Sequence, residues 1–71
     1  MDDFEWVDAL EDTPLVKKGF LHVSVNVRVK MQNGTIRTGF YDYSECYWYT
    51  ETKRGWRKEP DSNPVICWQS L

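Results

Sequence analysis

Histidine occurs once in this chain, at His22, and cysteine twice, at Cys46 and Cys67, with no Cys-x-x-Cys pair between them. That set lacks the ligand spacing of a zinc site. It also lacks the glycine-rich loop that cradles phosphates and the Gly-x-Ser-x-Gly elbow of a nucleophilic hydrolase. The longest apolar stretches fall far short of the ~20 residues that span a bilayer, so no membrane association is expected. No basic residue precedes Lys17, and the N-terminus carries neither the basic start nor the apolar run of a secretory signal. A reducing cytoplasm is therefore the expected compartment, with Cys46 and Cys67 as two buried free thiols. No cofactor and no catalytic constellation is expected. A chain of 71 residues has little room for a cleft and the shell that would support it.

Aromatic residues and strict alternation are what the chain has in abundance. Four Trp, four Tyr and three Phe let a single small domain, residues 1–71, bury area efficiently. From Leu21 to Met31, the apolar residues Leu21, Val23, Val25, Val27, Val29 and Met31 alternate with His22, Ser24, Asn26, Arg28 and Lys30. Asn33-Gly34 then turns the chain back, so residues 21–43 read as a central β-hairpin. A two-residue type I′ loop at Asn33-Gly34 would set Met31 opposite Ile36, Val29 opposite Thr38 and Val27 opposite Phe40. On the reverse face it would set Lys30 opposite Arg37, Arg28 opposite Gly39, Asn26 opposite Tyr41 and Ser24 opposite Tyr43.

Residues 46–69 hold the remaining strand signals: Cys46 to Thr50, Trp56 to Lys58, and Val65 to Gln69, separated by a polar turn ending at Gly55 and a loop from Glu59 to Pro64. Residues 1–13 form an acidic N-terminal segment. Phe4, Val7 and Leu10 at spacing three, with Asp2 or Asp3 as N-cap, suit a short helix there, and a strand competes because Trp6 spoils the stripe. Leu15 to Phe20 reads as a connection. The expected fold is mainly β: a small antiparallel sheet of four to five strands, as a twisted meander or partly open barrel, with a short N-terminal element. Its exposed edges make a homo-oligomer plausible.

Charge is divided along the chain. Asp2, Asp3, Glu5, Asp8, Glu11 and Asp12 crowd the first 13 residues, whereas all nine bases fall between Lys17 and Lys58. The acidic arm either lies over the basic body or reaches toward a basic partner, where it could imitate nucleic-acid phosphates. Arg28, Lys30, Arg37, Tyr41 and Tyr43, with Arg54 and Arg57 nearby, combine rings that stack on bases with cations that meet phosphates. The expected Lys30–Arg37 like-charge pair needs an anion between them, either a carboxylate of Glu5, Asp8 or Glu51 or an external ligand. Tyr47, Trp48, Tyr49, Trp56 and Trp68 are the residue types that anchor protein interfaces, and the six acids of the arm are interface candidates with them. A pI near 5.2 argues against a general DNA-binding protein.

The order of these signals resembles a small phage and prophage family catalogued as domain of unknown function 551. The resemblance spans Trp6 to Leu71. It rests on the strand before Asn33-Gly34, on Gly39-Phe40-Tyr41-Asp42, on Gly55-Trp56, and on the terminal Val65-Ile66-Cys67-Trp68-Gln69-Ser70-Leu71. Family members similarly finish on a Val, a Trp two or three places later and a Pro-Leu ending. Here Ser70 stands at the proline, and Ile66-Cys67 replace a Thr-His pair. The resemblance implies a phage or prophage accessory role and brings no site residues with it. The expected function is thus a non-catalytic protein that binds and inhibits or modulates a host defence protein in the host cytoplasm. A nucleotide-sequestering protein using the basic and aromatic face is the alternative, and a single-stranded nucleic-acid binder is a third.

Overall fold

The computed structural model describes residues 5–71. Six strands build one antiparallel sheet: β1 (Val7–Asp8), β2 (Val27–Met31), β3 (Ile36–Asp42), β4 (Tyr47–Thr52), β5 (Gly55–Lys58) and β6 (Val65–Gln69). Their order across the sheet is β1-β6-β2-β3-β4-β5. The mainly β expectation holds, and the strand count rises from the four or five expected to six. β2 to β5 form the expected meander, but β6 returns across the sheet to pair with β2, which leaves β5 as an open edge.

The central hairpin forms one residue out of the expected register. Val27 faces Gly39, Val29 faces Arg37 and Lys30 faces Ile36. A type I′ turn requires positive φ at both central residues, yet Asn33 is not in that region and Gly34 is, at φ 93°. Met31 N–H donates to Thr35 O at 2.8 Å and Gly34 N–H to Met31 O at 2.9 Å, which closes a three-residue loop with the glycine as a bulge. Because side chains alternate with period two, this single-residue slip moves every β3 side chain to the other face. Arg37, Gly39 and Tyr41 join Val27, Val29 and Met31, while Ile36, Thr38 and Phe40 join Arg28 and Lys30.

Upstream, the long expected strand breaks at Ser24. Its buried hydroxyl accepts from Tyr41 N–H at 2.8 Å and donates to Val25 O at 2.9 Å, standing in for a backbone group in the ladder. Only isolated bridges, Val16 to Ser24 and Val23 to Asp42, continue the pairing beyond it. The expected connection from Leu15 to Phe20 is one arm of a small projecting ladder. Lys17 N–H donates to Val23 O and Val25 N–H to Leu15 O, both at 2.9 Å. Leu15, Phe20 and Leu21 are exposed on it.

Val27, Val29, Met31, Trp48 and Val65 form the core, with Val29 fully buried. Ala9, Tyr41 and Trp68 pack against them. The N-terminal segment covers this face as β1 followed by a turn, so no helix forms over the described part; Asp2, Asp3 and Phe4 lie outside the described residues. Trp68 Nε1 donates to Asp12 O at 3.0 Å. The Tyr43 hydroxyl donates to Pro14 O and shares a 2.9 Å hydrogen bond with Thr13 Oγ1.

One carboxylate ties strands that are not neighbours. Glu59 Oε2 accepts from Trp48 N–H and Oε1 from Val65 N–H, each at 2.8 Å, so β4 and β6 are held at one end of the core. Close approach also fixes Gly39, where a Cβ would lie 2.7 Å from Tyr49 O and 3.2 Å from both Val29 methyls.

Candidate functional site at the β3–β5 end

The slipped register separates the residues that the sequence placed together. Arg28 donates from Nη1 to Gln69 Oε1 at 2.8 Å, a strand partner on β6. The Lys30 ammonium lies 4.7 Å from the centre of the Trp6 ring, so among the described residues a ring and not a carboxylate meets it. Arg37, on the opposite face, has no contact with Lys30, and the expected like-charge pair does not exist. Tyr41 packs edge-on against Trp48 and Tyr43, with centroids 5.1 and 4.9 Å away. Burial, then the hydrogen bond with Cys46, pushes the Tyr41 phenol up from its ordinary value. Tyr41 and Tyr43 are therefore packing residues rather than a stacking platform.

The interface candidates divide in the same way. Trp48 is buried in the core and Trp68 is half-buried beneath the N-terminal segment, whereas Tyr47, Tyr49 and Trp56 remain on the reverse face. There Phe40 stacks on Tyr49 at 5.4 Å and meets the edge of Trp56 at 5.1 Å. Tyr47 lies under the Lys58 ammonium at 4.0 Å. Trp56 is 44% exposed. A shallow cleft of about 220 Å³ runs from Phe40 and Trp56 to Lys17 and Asn26. A type I′ register sets Phe40 opposite Val27 and so hides this strip; the signal for it is a glycine that serves equally as a bulge.

Among the described residues, the acids of the N-terminal segment, Glu5, Asp8, Glu11 and Asp12, form no ion pair with the basic body. Asp8 pairs in register with Cys67, which in turn faces Lys30, and its Oδ1 caps Leu10 N–H at 2.8 Å. Glu5, Glu11 and Asp12 are exposed, and no ion pair forms among the described residues. Asp2 and Asp3 lie outside those residues.

Both thiols are free, as expected, but neither is fully buried. Cys46 is exposed because it ends the β3–β4 turn at φ 60°. Burial raises the Cys67 thiol, against the lowering influence of Lys30. No hydrogen bond links His22 to either thiol among the described residues.

Arg37, Arg54 and Arg57 do converge, on the core side of the sheet. β3 and β4 pair only from Gly39 to Asp42, and beyond that point the strands part. Arg37 reaches across the gap to Glu51 O at 3.4 Å. The opening forms a depression of about 460 Å³ lined by Arg37, Thr52, Lys53, Arg54 and Arg57.

No helix of the described residues is long and apolar enough to cross a membrane. No family model, curated protein or solved structure matches the chain.

Proposed function

We propose that the chain is a non-catalytic binding protein that acts on another protein, and that its aromatic face from β3 to β5 is the contact surface. The observation that supports this reading is the Phe40, Tyr49 and Trp56 strip, half-buried at Phe40 and Tyr49 and exposed at Trp56, beside the unpaired outer edge of β5. Aromatic side chains next to a free strand edge supply both parts of strand-addition recognition: backbone groups for affinity and ring pockets for specificity. Lys17, Arg28 and Lys58 on or beside this face favour a partner with an acidic rim. The resemblance to domain of unknown function 551 proteins suggests a phage accessory role, in which that partner is a host defence component being inhibited.

Affinity capture from lysate of the encoding host, with wild-type chain and Trp56→Ala in parallel, tests this. A partner retained by the wild type and lost with Trp56→Ala, while the variant still melts cooperatively within a few degrees of the wild type, supports the reading. Capture indifferent to Trp56→Ala, or binding of single-stranded oligonucleotide to the strip in place of any protein, overturns it.

A further inference from the structure

The depression at the opposite face of the same strands has a different chemistry. Arg37 and Arg57 project from the core side of the sheet, as their pairing with Val29 and Thr50 requires, and Lys53 and Arg54 form the tip of the β4–β5 hairpin beside them. Four cations thus share one opening of about 460 Å³ in which no carboxylate takes part. None of the four is ion-paired among the described residues; the one side-chain hydrogen bond they make there, Arg37 to Glu51 O, is long at 3.4 Å. Thr52 Oγ1 is occupied within the turn, donating to Gly55 O at 2.8 Å. Like charges held this close repel, and a multivalent anion offsets that repulsion more fully than a single phosphate can.

We propose that this depression binds the phosphate chain of a small polyphosphorylated molecule. Three guanidinium forks grip non-bridging oxygens in pairs, and Lys53 supplies a mobile point charge at the rim. No aromatic ring lines the opening, so it recognises the phosphate chain and not a base. Free inorganic tripolyphosphate and a nucleoside triphosphate share this chemistry, and the two are separated by comparing them directly. The site lies on the face away from the aromatic strip, so it stands or falls independently of the protein-binding reading.

Titration calorimetry and thermal melting with tripolyphosphate, ATP, GTP, adenosine and a short single-stranded oligonucleotide test the proposal. Tripolyphosphate and both nucleotides are expected to bind with similar affinity and to raise the melting temperature, and adenosine to do neither. Arg37→Gln, Arg54→Gln and Arg57→Gln are each expected to weaken binding by about tenfold or more while the unliganded protein melts no lower than the wild type. Lys18→Gln, an exposed cation outside the depression, should leave affinity unchanged. The proposal is overturned by the absence of any tripolyphosphate response, by an equal loss in Lys18→Gln, or by oligonucleotide binding without tripolyphosphate binding. ATP binding that tripolyphosphate cannot compete away would also overturn it.

Discussion

β2 and β5 are both short strands that carry two basic residues each, yet they have opposite fates. β2 lies between β6 and β3, and Val27, Val29 and Met31 are buried while Arg28 stays outside. β5 has a neighbour on one side only, and all four of its residues are exposed. Position within the sheet thus concentrates stability at the β6–β2–β3 centre and leaves the β4–β5 hairpin free to present side chains. Interior strands gain from cover on both edges and a face, whereas an edge strand retains unpaired backbone and open rings.

If that division is right, substitutions where the halves join should cost most. Glu59→Ala leaves the Trp48 and Val65 N–H groups without their acceptor and is expected to destabilise by about 2–4 kcal/mol in urea denaturation. A cost near zero would mean that the β4–β6 tie is dispensable. Gly39→Ala drives a methyl group toward Tyr49 O and Val29, and a loss of about 1–3 kcal/mol is expected by the same measurement. Cys46→Gly relieves the left-handed backbone of the β3–β4 turn and should stabilise by about 1 kcal/mol. Trp56→Ala removes an exposed edge contact with Phe40 and is expected to cost only about 1 kcal/mol or less. A loss as large as that of Glu59→Ala would show that the β4–β5 end is structural and would erase the contrast between the halves.

The smallest effect concerns pH. The Ser44 hydroxyl, with the N–H groups of Glu45 and Ser44, holds the Asp42 carboxyl below its ordinary value of 3.8, against the opposing influence of partial burial. A carboxylate whose folded value is depressed contributes stability that is complete above the unfolded value. That contribution is lost as pH falls from about 3.8 through the lower folded value. Urea midpoints measured between pH 6 and pH 2.5 should therefore drop below pH 4, and Asp42→Asn should reduce that drop. An unchanged drop in Asp42→Asn would place the acid sensitivity elsewhere.

Strand content was readable because it depends on local alternation: Val27, Val29 and Met31 form the buried stripe expected of them, and Val65 to Gln69 is a strand as written. Cross-strand partnership was less readable. Asn33-Gly34 suits both a type I′ turn and a type I turn with a glycine bulge, and β3 has large residues at both parities, Ile36 and Phe40 against Tyr41. Either register therefore buries something apolar, and only the packing of Tyr41 on Trp48 distinguishes them. Of the candidate ligand residues, Arg37, Arg54 and Arg57 come together, while Arg28, Lys30, Tyr41 and Tyr43 are engaged elsewhere. The role of Glu59 had no local signal, because its two acceptors serve strands 11 and 6 residues away that approach each other only in the folded sheet.

By itself the sequence determined a small β domain, its turns at Gly34 and Gly55, and an acidic start before a basic body. The tertiary structure decided which face each β3 side chain occupies, that β6 returns to β2, and that four cations meet at the parting of β3 and β4. Alternation and turn chemistry act over a few residues, so they are written locally. Register and strand order depend on the packing of the whole sheet, and a single added loop residue is enough to split the expected binding face, moving Arg37 and Tyr41 to the core side while Arg28 and Lys30 stay on the other.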